Sequence, residues 1–585
     1  MTTKSAAIGA VAATAALVGG YAVYAQHQRQ QKVLEVALAG AANVDAYRES
    51  ALLIVVDVGS SSIRASCFAL VGAATGRGFQ GKKYCDGKSA SGHKTRDSAA
   101  EGVEWVMLKG SLQQLKMDGI INSHGEADIH RIEKSVETVL DRVMEFVRAI
   151  GFSKHVRGVG FSTFAMNILG VDHKGKAVTP VYTYAGRRPS TAGYARQLRE
   201  TLSNRGCLEE FHNRTGTVIH PAYAPAEFLR LHHEEPALLE RVHKWQSISS
   251  YLLSKWMLAG DKALPMSFSE ASWAGLLDFR QHQWDQPLLD LVHMDKAKMP
   301  ELQDSSVPIS GLRPAYIKRW PELANRPFFL GIGDGAAANI GSKAINSSRI
   351  AVTVGTSAAL RVVVKDSVMA NHKVPKGLWC YRIGKEHVML GGALNDGGSV
   401  FQFFHQTLQL SFDEIDEKLP TLRPAHHGLT VLPFLSGERA PGWHDEATCT
   451  IMGINKWTKP VDLLQAGMEA VALRIALVFS LLAEYADSDA AVIASGTALT
   501  SSKTWRQMLA DCIGRELAME THATEATSRG VAVFIGTYLG LHSFEDSGKL
   551  ASNHLVHAKP NVAAHAAYLD ARQAQESLYR KLYVD

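Results

Sequence analysis

Val56-Asp57-Val58-Gly59-Ser60-Ser61 near the start of the chain and Val352-Thr353-Val354-Gly355-Thr356-Ser357 past its middle are two versions of one phrase. Each follows a β-branched apolar run and precedes another. The flanks are Leu52 to Val56 and Ile63 to Leu70 in the first copy, Ile350 to Val352 and Leu360 to Val364 in the second. Strand, small-residue turn and strand make a β-hairpin whose tip no large side chain obstructs. Backbone N–H groups and hydroxyls there can close on an oxygen-rich anion, as glycine-rich phosphate loops do. A single copy would read as a tight turn with Asp57 capping its own backbone. Two copies predict two related lobes gripping one polyphosphate.

The chain of 585 residues is long enough for two or more domains. With 46% hydrophobic and 20% charged residues it is an ordinary globular composition. A net charge of +5 is too mild to argue for nucleic acid. Cys67, Cys85, Cys207, Cys380, Cys449 and Cys512 are scattered without CxxC or metal-like spacing, which points to a reducing compartment. Ala6 to Ala25 is an apolar run between Lys4 and Arg29, with no acidic residue before Glu35. That length can just cross a bilayer. The expectation is a membrane anchor that leaves the catalytic part on the cytosolic side, because the downstream flank is basic. The alternative is a presequence, cleaved near Val23-Tyr24-Ala25, that directs import into an organelle.

Apolar residues then mark the organisation. Ile132, Val136, Val139, Leu140, Val143, Val147 and Ile150 recur at helical spacing and lead into a short strand, Gly158 to Ser162. Residues 71–103, rich in Gly, Ser, Lys and Arg, read as an exposed excursion, and residues 223–260 as helical. A second alternation of strands and helices runs from Phe328 to about Tyr538. It includes a long helix, Val461 to Tyr485, and a strand, Ala491 to Ala494. Such alternation predicts an α/β fold. The expected divisions are 1–30 (anchor or presequence), 31–50 (linker), 51–342 (first lobe), 343–545 (second lobe) and 546–585 (tail helix).

Asp57 stands at the mouth of the first turn, where a carboxylate near phosphates makes sense with a hydrated Mg²⁺ between them. Thr353 holds the matching position in the second copy, so only one lobe should hold metal. Gly333-Asp334-Gly335-Ala336-Ala337 places a second acid at a strand end, opening a helix. It could be a helix cap, a general base for an attacking hydroxyl, or both. Gly81 and Gly87-Lys88-Ser89 imitate a phosphate loop but have the wrong glycine spacing. His232-His233 and His426-His427 lack zinc-ligand spacing and are expected at the surface.

With these residues assembled, the chain resembles the FGGY carbohydrate kinases of the actin, hexokinase and Hsp70 superfamily, over roughly residues 50–540. The resemblance rests on Asp57 to Arg64, Gly331 to Gly341, Thr353 to Ser357, Gly391 to Gly398, Pro433 to Trp443 and Ala494 to Thr500. It implies two ribonuclease-H-like lobes with an ATP cleft between them, preceded here by the N-terminal apolar helix. It implies ATP and Mg²⁺ as cofactors, Asp334 as catalytic base and Asp57 at the metal. Contacts to ATP are implied for Gly59, Ser60, Ser61, Ser62, Arg64, Gly355, Thr356, Ser357, Gly398, Gly496, Thr497 and Thr500.

Thr215 to Pro221 and Phe161 to Asp172 look most like the gluconokinase branch. The sugar wall departs from related kinases, however. Ala165-Met166 replaces the usual Met-His or Arg-Glu, Tyr184-Ala185-Gly186-Arg187-Arg188 lacks the aspartate of Trp-x-Asp-x-Arg, and Glu227 stands where a lysine is common. Ala165, Met166, Arg188 and Asp334 are the implied substrate residues; Arg187 and Arg188 could pair with a carboxylate of the acceptor, or else face solvent or hold glutamates of their own lobe. The expectation is a kinase for an open-chain sugar, gluconate-like sugar acid or polyol, tethered to a membrane and able to form a homodimer. The alternative is a catalytically weak nucleotide-binding pseudokinase of the same fold.

Overall fold

The computed structural model describes residues 47, 49–71, 104–186, 188–258, 263–520, 525–545 and 555–584. The apolar run at 6–25, the linker, the excursion at 72–103 with its imitation phosphate loop, and Arg187 lie outside the described residues.

Both repeated phrases form the expected hairpins. Strand β1 (Leu52–Val58) pairs antiparallel with β2 (Ser62–Val71), and β2 pairs with β3 (Glu104–Met107). On its other side β1 runs parallel to β4 (Val156–Thr163), which runs parallel to β5 (Ile332–Gly333). The order β3-β2-β1-β4-β5 recurs in the second lobe. There β6 (Arg349–Val354) pairs antiparallel with β7 (Ala358–Lys365), whose far side also takes an antiparallel strand. In chain order the remaining strands are β8 (Trp379–Arg382), β9 (His387–Leu394), β10 (Ala491–Ser495), β11 (Leu517–Glu520) and β12 (Leu555–Ala558). The sheet order β8-β9-β7-β6-β10-β11-β12 contains the same five-strand pattern with one added strand at each edge.

Strand β1 is apolar throughout because both of its faces are covered. Leu52, Ile54, Val56 and Val58 pack on helix α1 (Ile129–Ala149), while Leu53 and Val55 join a cluster between the lobes. Asp128 caps α1 by accepting from the N–H groups of His130 and Arg131. The residues read at helical spacing, Ile132 through Val147, are its buried stripe.

Two helices carry the lobe junction. Helix α2 (Asp334–Gly341) follows β5, and α6 (Ala526–Tyr538) follows β11 in the second lobe; α3 (Gly398–Leu408), α4 (Pro460–Leu482) and α5 (Lys503–Ile513) lie between them in the chain. A Cβ on Gly341 would lie 1.8 Å from the carbonyl oxygen of Ala526, and one on Gly530 would lie 1.8 Å from that of Ala337. Backbone therefore touches backbone at a pseudo-twofold crossing, which only glycine permits.

The fold departs from the sequence expectation in three places. The 223–260 stretch is broken by a strand, Lys244–Gln246, that pairs with Asn167–Val171. The tail holds its expected helix, α7 (Val562–Tyr583), which packs on the second lobe through Tyr568, whose hydroxyl donates to buried Glu469, but it also supplies β12, an unexpected strand that completes the second sheet. His427, expected at the surface, is buried against the same Glu469 at 2.9 Å. Among the described residues one helix, Pro460–Tyr485, has the length and apolarity to span a membrane, but most of it is buried as the core of the second lobe.

Candidate active site

The C-terminal ends of parallel strands point to one edge, where ligands bind in open α/β sheets. In the first lobe Asp57, Ser162 and Ile332 share one register row across β1, β4 and β5, so Asp334 emerges just beyond the row that holds Asp57. In the second lobe Thr353 and Ser495 share the corresponding row. The side chains repeat the geometry. Ser162 Oγ donates to Asp57 Oδ1 at 2.5 Å, and the hydroxyls of Thr353 and Ser495 lie 2.8 Å apart.

The turn N–H groups divide between closing the hairpins and facing the cleft. Gly59 N–H donates to Ser62 O and Gly355 N–H to Ser357 O. Ser61, Thr356 and Ser357 are exposed, Ser60 is half-buried and Ser62 is buried. Neither Gly59 nor Gly355 has a left-handed φ, and a Cβ on Gly355 would meet nothing within 4 Å. The tip is therefore open by side-chain size rather than by backbone necessity. Gly398 N–H donates to Gly355 O at 2.7 Å, which brings the start of α3 onto the second hairpin. Gly496 (φ 99°) does require glycine, since a Cβ would lie 2.3 Å from Val354 O. Thr497 and Thr500 follow it on the exposed face, with Thr500 Oγ1 turned back to the carbonyls of Gly496 and Thr497. Gly398 and the 496–500 turn thus gather on the second hairpin.

Asp57 is buried, and burial pushes its carboxyl up, against the pull of Ser162 and Arg64. Arg64 bonds Ser62 Oγ through Nε (3.0 Å), and its Nη1 lies 3.5 Å from Asp57 Oδ2 and 3.2 Å from Glu525 Oε2. Glu525 precedes α6, so this ion cluster links the lobes. Asp334 accepts from the Gly335 N–H at 2.7 Å and keeps an edge open to the cleft. Burial, and then the negative Asp57, raise its carboxyl to about 6. The flanking glycines have a packing reason: Cβ atoms on Gly333 and Gly335 would run into the Trp273 ring at 2.5 and 2.8 Å.

Several contributors carry no spacing signal in the sequence. Glu270 is fully surrounded and accepts from Ser249 (2.7 Å), Ser247 (2.8 Å) and Thr163 (3.1 Å). Ser249 accepts from the Gly331 N–H, and Ser269 from the Gly333 N–H. The backbone leading into Asp334 is thereby pinned from below. Trp273, Tyr381 and Trp379 stack in sequence, and Tyr381 shares a hydroxyl bond with Tyr223 across the lobes.

The sugar wall is more closed than the sequence implied. Met166 (φ 42°) is buried in the first lobe, while Ala165 packs against the cluster that contains Trp273 and Tyr381. Arg188 is half-buried and donates from Nε to Glu126 Oε1 at 2.7 Å. Glu227 is likewise engaged, by Thr191 and Arg230.

Comparison with known proteins decides the family. Residues 109–341 match the N-terminal domain, and residues 350–537 the C-terminal domain, of the FGGY family of carbohydrate kinases. The chain belongs to that family. It is a phosphotransferase acting on sugar alcohol groups. Gluconokinase of Bacillus subtilis is 25% identical over 440 residues, covering 73% of this chain and 82% of the relative. Two solved structures share the fold. Gluconate kinase from Lactobacillus acidophilus has a TM-score of 0.75 at 21% identity over 92% of this chain and 99% of that one. Ligand-bound xylulose kinase from the same organism has a TM-score of 0.75 at 21% identity over 91% and 99%. The two matches fall within the two lobes, with β1 to β3 preceding the first and β12 and α7 following the second.

Proposed function

We propose that this FGGY kinase transfers the γ-phosphoryl group of ATP to a hydroxyl of an open-chain sugar acid, sugar or polyol, with a gluconate-like acid as the first candidate. The observation that carries the mechanism is the placing of Asp334, at the end of β5, just beyond the register row that holds Asp57 at the foot of the first hairpin. The exposed hydroxyls and N–H groups of the hairpins hold the phosphates from two lobes. Asp334 takes the proton of the acceptor hydroxyl, for which a carboxyl raised to about 6 is suited near neutral pH. Asp57, set against Arg64 and Glu525, fits a hydrated Mg²⁺, which characteristically takes one or two carboxylates and keeps its waters. That ion would supply charge neutralisation at the phosphates. The aromatic wall of Trp273, Trp379 and Tyr381 excludes water from the acceptor side.

The gluconate-like acceptor is supported by the likeness to gluconokinase, while Ala165, Met166 and Gly186 take polar groups from one wall of the sugar side. That loss leaves the wall poorly equipped to sort hydroxyl configurations. Asp334→Asn keeps the shape and removes the proton acceptor. It is expected to bind ATP normally in a titration and to lower turnover, read as ADP release with gluconate, by about 10² or more. Turnover within a few-fold of the unaltered enzyme rules Asp334 out as the base.

A further inference from the structure

Arg188 was the guanidinium singled out in the sequence for an acidic acceptor, and the fold has already given it a carboxylate in Glu126. The second lobe supplies two others that no protein group satisfies. Arg361 is the one charge within the apolar run Ala358–Val364 of strand β7, and its buried Nε has no hydrogen-bond partner among the described residues. Among the described residues no carboxylate pairs with it, although Asp334 is near enough for each to act on the other's charge. The guanidinium lies beside α2: Nε and Nη2 are 3.4 and 3.5 Å from the point where a Cβ on Gly335 would stand, and the Trp273 ring is 2.8 Å from that point. Arg439, in the Gly437-Glu438-Arg439-Ala440-Pro441 segment, also makes no side-chain ion pair among the described residues. Its charge acts on Tyr223, Tyr381 and His220. Both arginines therefore lie close enough to act on Tyr381, the partner of Tyr223 in the hydroxyl pair.

A shielded guanidinium without an acceptor is costly to keep, and a planar carboxylate is the group its fork fits bidentately. We infer that Arg361, assisted by Arg439, reads the carboxylate of the acceptor, so that the acid end is recognised by the second lobe while its hydroxyl is presented to Asp334 of the first. This rests on the reading of the acceptor as an open-chain sugar acid. It makes acceptor recognition and lobe closure one event, because the two ends of the substrate are held by different lobes.

The test compares gluconate with sorbitol, a neutral six-carbon polyol, in the unaltered chain, Arg361→Gln, Arg361→Lys, Arg439→Gln and Arg188→Gln. Arg361→Gln should raise the KM for gluconate by about 10- to 100-fold, the scale of a lost charged hydrogen bond. It should cut the gluconate-to-sorbitol ratio of kcat/KM, and Arg361→Lys should restore part of both. Arg439→Gln should move the ratio the same way by less, and Arg188→Gln should keep it. An unchanged ratio in Arg361→Gln overturns the assignment. So does an equal fall in kcat for both acceptors, which would place the arginine on the transferred phosphoryl group instead. If the unaltered chain phosphorylates sorbitol but not gluconate, the sugar-acid reading itself falls; if it phosphorylates gluconate regardless of Arg361, only this inference does.

Discussion

At the first hairpin Asp57 meets Ser162 on the neighbouring parallel strand; at the second, Thr353 meets Ser495 in the corresponding register. Backbone and neighbour are conserved between the two halves of this one chain, and a carboxylate is exchanged for a hydroxyl. The surroundings follow the exchange. The antiparallel partner of Asp57 is Arg64, which neutralises it, whereas the partner of Thr353 is Ala359. A duplicated fold thus provides two small-residue turns, and on the proposed mechanism a single side-chain difference would make one of them a site for a cation and the other a neutral clamp. The helices that follow differ in the same sense. Helix α2 opens with the acid Asp334, while α6 opens after Glu525, whose carboxylate reaches across to Arg64.

The sharpest way to break this comparison is to remove the asymmetry. Asp57→Asn keeps the Ser162 contact and takes away the charge, so kcat should fall by about 10² or more if the metal neutralises developing charge there. Thr353→Val, the nearest change in the other lobe, removes one hydroxyl bond and should cost only a few-fold. Measured at saturating ATP over a range of Mg²⁺, Asp57→Asn should also require far more Mg²⁺ for half-maximal rate. Equal losses from the two substitutions would show the turns to be functionally alike.

Gly355→Val probes the neutral clamp. In the protein alone a side chain there is free of collisions, since a Cβ meets nothing within 4 Å and φ is not left-handed. The variant should therefore fold with an unchanged Tm. Any loss of ATP affinity must then arise on the ligand's side, and a rise in Kd of about tenfold is expected from crowding a bound oxygen. Unchanged affinity by isothermal titration removes the second hairpin from the nucleotide site.

What the sequence made legible follows the same division. Hairpins and the Gly-Asp-Gly segment could be read because local chemistry fixes them: β-branched runs, small turns, and an acid at a strand end. The buried stripe of α1 could be read from its period. The partners that tune the site were not legible. Ser162, Glu270, Trp273 and Glu525 are brought to it by pairing between strands and helices far apart in the chain, and nothing in their own neighbourhoods marks them. Arg361 is intermediate, since an isolated charge in a strand of valines is a visible oddity, but its free guanidinium appears only when both lobes are present. Arg188 was legible only as a choice between an acceptor carboxylate and a glutamate of its own lobe; the fold takes the second, with Glu126 in a strand whose pairing the local sequence does not reveal.

The smallest effect concerns how the two acids share one field. Asp334 must be ionised to accept a proton, so kcat/KM should fall as pH drops through about 6, its raised value. Burial is the larger cause of that elevation and the charge on Asp57 the second. Removing a neighbouring negative charge makes ionisation of Asp334 easier. In Asp57→Asn the midpoint of the residual activity should therefore move to lower pH while staying above the ordinary carboxylate range, because burial remains. Thr353→Val takes no charge from the site and should leave the midpoint where it is. A midpoint that stays fixed in Asp57→Asn would mean that the two carboxylates do not feel each other. A shift in Thr353→Val would mean that the neutral lobe contributes to the field that this comparison assigns to the charged one.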